Sequence, residues 1–302
     1  MKILIYGVGG IGGYLGSLLL KTNYEITFLS RHDKYESLKK KGIVLRSDVH
    51  NLKFEKINVK DSLSNGEAYD FVILAVKLYD FESALEEIRN KLNKDIIILP
   101  FQNGVYSEEK ILKFFGKLNT YGAVAQISCF LNPNFEVVHI GKLATFFVGG
   151  YVTNNINDKL KNFVQDARKI GLDLRLTDNI SAKLWEKFIF LSAYSGITTL
   201  TSKTIGEIFD DSKLEKMFIK AMTETYEVSK RFKIKFKNDP VEVWKTKIKN
   251  MPYQMTSSMY LDFTNKKKLE LNWLSGFVVS YARENKLKCY THEKILDGIL
   301  SK

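Results

Sequence analysis

Gly7, Gly9 and Gly12 stand in the spacing G-x-G-x-x-G, inside the stretch Lys2-Ile3-Leu4-Ile5-Tyr6-Gly7-Val8-Gly9-Gly10-Ile11-Gly12. An apolar run precedes this loop and a helical pattern follows it, which is the setting in which such a loop binds a dinucleotide. Each glycine has its own task. Gly7 permits the tight turn, Gly9 lets the backbone approach a pyrophosphate, and Gly12 lets the helix pack closely on a sheet. The backbone from Gly7 through Val8, Gly9, Gly10 and Ile11 to Gly12 then offers the phosphates a helix N-terminus, with its N–H groups and positive dipole end.

The next residues that bear on chemistry are Ser30 and Arg31, at the end of the second apolar run. A unit that binds NAD usually places a carboxylate there to hold the ribose hydroxyls. Here the slot holds a hydroxyl and a guanidinium. Arg31 can pair with a 2′-phosphate and Ser30 can donate to it, so the sequence favours NADP(H) over NAD(H).

Other chemistries find no support. The histidines, His32, His50, His139 and His292, are scattered and give no ligand pair on one helix face, so no metal site is expected. No G-x-S-x-G elbow and no Walker A sequence occurs. Cys129 and Cys289 are far apart and neither sits in a CxxC pair, which argues against disulfides and structural zinc and fits a reducing cytoplasm.

The elements that must position the loop come from hydrophobic spacing. Lys2–Tyr6, Glu25–Leu29, Phe71–Val76 and Ile96–Leu99 have strand character. The last two are continuous apolar runs, as expected of strands buried on both faces of a parallel sheet. Ile11–Leu20 has helical spacing, and Phe81, Leu85, Ile88 and Leu92 recur at helical intervals. Further strands are expected at 120–128, 136–140, 145–148 and 173–176, with a turn at Asn132-Pro133-Asn134. A helix is expected over 156–170, with Gly171 at its end.

Beyond about residue 178 strand signals nearly vanish. Long helical patterns cover 181–191, 207–231 and 274–284, and Asp239-Pro240 reads as a helix start. The expectation is an α/β chain with a doubly wound sheet, a Rossmann domain over 1–178, and a helical domain over 179–302. A cleft between two domains is a usual place for a site.

The 302 residues are 45% hydrophobic, enough to bury two ordinary cores. The net charge of +12 includes basic clusters at Lys230, Arg231, Lys233, Lys235 and Lys237 and at Lys266, Lys267 and Lys268. Their plain reading is solvated lysine, and no zinc-finger spacing or RNP-like block points to nucleic acid. No secretory leader is expected, since Gly7 ends the first apolar run. The apolar stretch 188–200 is too short and too interrupted to span a membrane. A cytoplasmic protein is expected, with a homodimer as the base-rate assembly.

Six stretches now line up in order: the Gly7–Gly12 loop, Leu29-Ser30-Arg31, Ala75-Val76-Lys77, Phe101-Gln102-Asn103-Gly104-Val105, Leu184-Trp185-Glu186-Lys187-Phe188, and Ser257-Ser258-Met259 followed by Leu269-Glu270. Together they span nearly the whole chain and resemble the 2-dehydropantoate 2-reductase (ketopantoate reductase) family. The resemblance implies a Rossmann domain followed by a helical domain like that of 6-phosphogluconate dehydrogenase. It implies hydride transfer from NADPH to the keto carbon of ketopantoate, giving pantoate for pantothenate and coenzyme A synthesis.

Carried onto this sequence, Lys187 matches the lysine whose ammonium polarises the keto oxygen and protonates the alkoxide. Asn103 matches the asparagine beside the nicotinamide and substrate. Glu270 matches an acid that engages cofactor or the active-site lysine. Ser258 matches a substrate-contacting serine, and Lys77 a lysine at the cofactor edge. Each has a plainer alternative. Lys183 shares a helix face with Lys187, Asn103-Gly104 is also a common turn dipeptide, Glu270 could serve a helix dipole, and Ser258 could be a helix cap.

One departure stands out. Characterised members carry asparagines four and eight residues after the lysine, where this chain has Leu191 and Ser195. The substrate pocket therefore loses polar anchors and becomes roomier and more apolar. A branched 2-keto acid other than ketopantoate, a related hydroxyacid dehydrogenase activity, and a non-catalytic NADPH-binding sensor all stay open at this point.

Overall fold

The computed structural model describes residues 1–117, 120–153 and 156–302. Two compact units divide it. One comprises Met1–Asn103 and Ser107–Ile180, the other Gly104–Tyr106 and Ser181–Lys302.

In the first unit, strands β1 (Lys2–Tyr6), β2 (Glu25–Leu29), β5 (Asn58–Lys60), β6 (Phe71–Leu74) and β7 (Ile97–Pro100) form one sheet in the order β5-β2-β1-β6-β7. All four pairings are parallel. β6 and β7 are buried at every position, as their unbroken apolar sequence requires. The order turns back at β1, between β2 and β6. The carboxyl ends of those strands are thus where a doubly wound sheet opens a ligand crevice. Helices α1 (Gly10–Leu19), α2 (His32–Lys41), α3 (Leu78–Lys91) and α4 (Tyr106–Phe115) follow β1, β2, β6 and β7.

A second sheet completes this unit, with β3 (Ile43–Ser47), β4 (Leu52–Phe54), β8 (Tyr121–Leu131), β9 (Val137–Gly150) and β10 (Asp173–Leu176) in the order β10-β9-β3-β4, and β8 paired to β9; helix α5 (Asp158–Lys169) precedes β10, where the sequence predicts it. Helix α1 is pressed between the two sheets. A Cβ on Gly16 would lie 2.3 Å from Phe28 of the first sheet, and one on Gly13 would lie 2.4 Å from Val137 of the second. Glycine lowers helix propensity by roughly 1 kcal/mol per residue, and the close approach on both faces explains why this helix tolerates so many.

Two expectations need correction here. The segments 136–140 and 145–148 are one strand, β9. Its partner β8 skips register between Ile127 and Cys129, so residues 140–143 bulge out and the ladder resumes beyond them. Gly141, at φ +81°, makes that bulge. The helical pattern over 207–231 is two helices, α7 (Ile205–Asp210) and α8 (Ser212–Arg231). Asp211 takes an extended conformation between them and caps α8, accepting from the N–H groups of Lys213 and Leu214.

All regular structure among the described residues of the second unit is helical. α6 (Ile180–Thr201) begins at the unit boundary, and α9 (Pro240–Ile248), α10 (Ser258–Thr264), α11 (Ser275–Glu284) and α12 (Tyr290–Leu300) follow α8. Asp239 caps α9 and Pro240 opens it, as the sequence predicts. Trp185 and Phe188 of α6 are buried, and Trp185 packs at 4.7 Å between ring centroids on Phe232. Glu224 of α8 caps α12, accepting from the backbone of Thr291 and His292 and from the Thr291 hydroxyl.

His292 is fully buried beside that cap. Its Nε2 lies 3.0 Å from the Ala221 carbonyl, which accepts its proton, and its Nδ1 lies 3.3 Å from the Ser275 hydroxyl. Burial pushes its pKa down from 6.5 to about 4, so the folded unit holds it neutral. Above pH 6.5 this group costs nothing on folding. Between pH 6.5 and 4 the unfolded chain takes a proton that the folded chain refuses, so stability falls by about 3 kcal/mol over that window and levels off below it. Urea unfolding of His292→Gln should show a flatter pH dependence over the same window than the unmodified chain.

Candidate functional site

The glycine loop leaves β1 as the sequence predicts. Gly7 has φ +97°, a conformation that favours glycine, and a Cβ there would lie 2.8–2.9 Å from Val76 and Ala75. Gly12 meets the Gly7 carbonyl so closely that a Cβ would lie 2.1 Å from it. A Cβ on Gly10 would lie 2.4 Å from the Cys129 carbonyl. Packing explains all three.

Gly9 is different. Its φ of −93° and ψ of −160° are open to any residue, and a Cβ built on it has no atom within 4 Å. Neither conformation nor packing asks for glycine there. The space above its backbone, at the N-cap of α1 where no side chain caps the helix, fits a pyrophosphate. The residues of this loop therefore suit a dinucleotide.

The strand ends beside the loop are tied together. The Gly7 N–H donates to the Leu29 carbonyl at 3.2 Å, and the Ala75 N–H to the Tyr6 carbonyl at 2.8 Å. Gln102, buried after β7, donates through Nε2 to the carbonyls of Leu74 and Val76 at 2.9 and 3.3 Å. It thereby holds the β6 exit, which carries Lys77, against the β7 exit, which carries Asn103. Sequence reading gave Gln102 no role, though its place between Phe101 and Asn103 was visible. Lys77 is half-buried at the N-cap of α3, and Asn103 is half-buried in the turn before Gly104, which has φ +93°.

At the end of β2, Ser30 is buried and its N–H donates to the Lys60 carbonyl at 3.0 Å. Arg31 is exposed, and His32 beyond it sits at φ +55°, an uncommon conformation that clusters at ligand sites. The structure adds a carboxylate that sequence spacing did not reveal. Glu87 of α3 accepts from Arg31 Nη2 at 2.7 Å. Glu87 also accepts from the Tyr6 hydroxyl and from Lys91 Nζ. These partners hold its carboxyl below the usual range, against burial, while burial and Glu87 raise the Tyr6 phenol.

The other predicted site residues lie on the helical unit. Lys187, half-buried, sits on α6 between turns anchored by Trp185, Phe188 and Ile189. Leu191 and Ser195 follow at intervals of four and share its face. Leu191 is half-buried, but Ser195 is only 1% exposed and its hydroxyl is shielded and without a hydrogen-bond partner among the described residues. Lys183 of the same face pairs with Glu186 at 3.2 Å.

Glu270 is buried at the N-cap position of the short 3-10 turn Leu271–Trp273, where its side chain makes no capping hydrogen bond. Ser258 is the exposed first residue of α10. The cap is Ser257, which accepts from the Tyr260 N–H and lies 2.7 Å from the Thr198 hydroxyl. Ser258 is therefore not the cap. The basic clusters at 230–237 and 266–268 are exposed, with Lys230 paired to Glu227.

Among the described residues no group of three His, Cys, Asp or Glu side chains could hold a metal ion. No helix among them is long and apolar enough to cross a membrane.

Comparison with known proteins gives two family matches that together span most of the chain. The family model described as "Ketopantoate reductase PanE/ApbA" matches residues 3–151, and that described as "Ketopantoate reductase PanE/ApbA C terminal" matches residues 179–301. An uncharacterized oxidoreductase, YkpB, of Bacillus subtilis is 28% identical over 94% of this chain and 92% of its own. A 2-dehydropantoate 2-reductase of Pyrococcus horikoshii is 27% identical over 94% of this chain and 91% of its own. The ternary structure of a D-mandelate dehydrogenase with NADH and anilino(oxo)acetate shares the fold, with a TM-score of 0.89 at 18% identity, covering 100% of this chain and 97% of that one.

Proposed function

The chain belongs to the ketopantoate reductase family of oxidoreductases, and on that premise we propose that it reduces a branched 2-keto acid with NADPH, 2-dehydropantoate foremost. The observation that carries the cofactor half is Gly9, whose missing side chain leaves an open cradle that neither strain nor packing demands. Arg31, at the end of β2, supplies the cation for a 2′-phosphate, and Ser30 a neighbouring hydroxyl. Lys77 and Asn103 extend the cofactor side along the exits of β6 and β7. Support for the keto acid comes from the family match and from relatives named 2-dehydropantoate 2-reductase.

A reduced nicotinamide supplies a hydride when bound. The chain's own residues do the rest. The Lys187 ammonium donates a hydrogen bond to the keto oxygen, draws electron density from the carbonyl carbon, and gives up its proton as the alkoxide forms. Asn103 orients the carbonyl and Ser258 donates to the substrate carboxylate. Glu270, a buried acid, balances the ammonium. Leu191 stands where a polar side chain would anchor the substrate's far end, so the pocket favours an apolar branch there.

The test is nicotinamide absorbance with purified protein, NADPH, and a panel of 2-keto acids that includes ketopantoate. Oxidation with ketopantoate or a close branched analogue is expected. Tight NADPH binding with no oxidation by any member of the panel would replace this reading with that of a non-catalytic nucleotide sensor.

A further inference from the structure

Arg31 does not wait unengaged for a cofactor. Its Nη2 donates to Glu87 Oε2 at 2.7 Å and to the Tyr6 hydroxyl at 3.1 Å, two neighbouring acceptors that together occupy one edge of the guanidinium. Tyr6 closes the triangle by donating to the same Glu87 oxygen. On the other side Lys91 Nζ donates to Glu87 Oε1 at 3.0 Å and to the Leu63 carbonyl at 2.9 Å, which fixes the carboxylate in place. The Glu87 side chain is 15% exposed and that of Arg31 49% exposed. The carboxylate is thus the rigid member of the pair and the guanidinium the accessible one.

A guanidinium offers a phosphate two parallel N–H bonds only through a fork that includes Nη2. Here Glu87 and Tyr6 already draw on that nitrogen. A 2′-phosphate reaching Arg31 either takes the remaining edge, sharing the guanidinium with a carboxylate of like charge, or displaces Glu87. Displacement leaves a poorly exposed carboxylate beside a phosphate of like charge, with Tyr6 and Lys91 as its remaining partners. A 2′-hydroxyl makes no such demand, because it is neutral and needs no fork.

We propose that Glu87 sets the nucleotide preference of this chain, competing with the 2′-phosphate for Arg31 and so narrowing the preference for NADPH over NADH. This rests on the NADPH reading of the same loop. Glu87 acts through Arg31 and is a positioning residue, not a catalytic one.

The experiment measures dissociation constants of NADPH and NADH by nicotinamide fluorescence, with no keto acid present. Glu87→Gln removes the competing charge. Its NADPH constant should fall about tenfold, the scale of one charge-assisted hydrogen bond, while its NADH constant stays within about twofold. In an Arg31→Gln background the same Glu87→Gln change should have no effect on the ratio, because the contested guanidinium is gone. Lys91→Met, which leaves Glu87 more firmly on Arg31, should move NADPH the opposite way.

Damage to the fold would weaken both nucleotides together, and that result overturns the inference. An NADPH:NADH ratio unmoved by Glu87→Gln also overturns it, with the cofactor reading intact. Wild-type protein that binds neither nucleotide removes the cofactor reading and this inference with it.

Discussion

The Lys187→Ala protein is expected to reduce keto acid about 10²–10³-fold more slowly than the unmodified chain, the usual loss when a donor to a developing oxyanion is removed. Its dissociation constant for NADPH should change by less than about twofold, because the glycine loop, Arg31 and Lys77 belong to the other unit. The helix should survive. Its packing rests on Trp185, Phe188 and Ile189, all buried, while Lys187 is half-buried and alanine is the best helix former. Lys187→Arg should restore little, since a guanidinium neither yields its proton near neutral pH nor occupies the same point. Stopped-flow or steady-state kinetics with a nucleotide titration separate the two quantities. Unchanged turnover would remove Lys187 from the chemistry and turn attention to Lys183, one helical turn earlier.

The second large effect is expected at Gly9. Gly9→Val should fold with a melting temperature within a few degrees of the unmodified chain. The backbone there is extended, a Cβ meets nothing within 4 Å, and an apolar residue in place of glycine at a helix N-cap costs roughly 1 kcal/mol. It should nonetheless bind NADPH at least about 100-fold more weakly, close to 3 kcal/mol, because the side chain fills the space that the pyrophosphate needs. Gly9→Ala should give a smaller loss of the same kind.

Gly12→Ala makes the contrast. Its Cβ would lie 2.1 Å from a backbone carbonyl, so the fold itself should suffer. Nucleotide titration together with thermal unfolding distinguishes the two. If Gly9→Val binds NADPH normally, the cradle is not a cofactor site.

The parts of this molecule that could be read from sequence are those fixed by local pattern. β1, β2 and β10 form with the bounds that their apolar runs predict, and Asp239-Pro240 opens a helix as its chemistry demands. The glycine loop could be read for the same reason, since its spacing, preceding strand and following helix are all local.

What stayed hidden depends on distant pairing or on patterns without an apolar stripe. α2 is a mostly charged helix with Leu38 as its one buried residue, so its periodicity gives no signal. β5 is a three-residue edge strand of mixed polarity, defined by pairing with β2. β9 looks like two strands because a bulge at Gly141 interrupts an alternation that resumes beyond it.

The site divides the same way. Ser30 and Arg31 follow from the end of a strand. Glu87 lies 56 residues from Arg31, and only the parallel pairing of β2, β1 and β6 brings α3 to it. Tyr6 reads as one more apolar residue of a strand until its hydroxyl is seen between Arg31 and Glu87. Gln102 reads as part of a turn until its amide is seen clasping the β6 exit. The cap at α10 is Ser257 and not its neighbour Ser258, a one-residue difference that backbone geometry settles and spacing cannot.

The central claim is hydride transfer from a reduced nicotinamide to the keto carbon of a branched 2-keto acid. It is tested most directly with NADPH deuterated at both positions of nicotinamide C4, mixed with the protein and ketopantoate or the best acceptor in the panel. The product is then examined by mass spectrometry and NMR. The account predicts a 2-hydroxy acid with one deuterium on carbon 2, formed in equal amount to the NADP⁺ released. A product without deuterium at that carbon, or NADPH oxidised with no hydroxy acid formed, would contradict it.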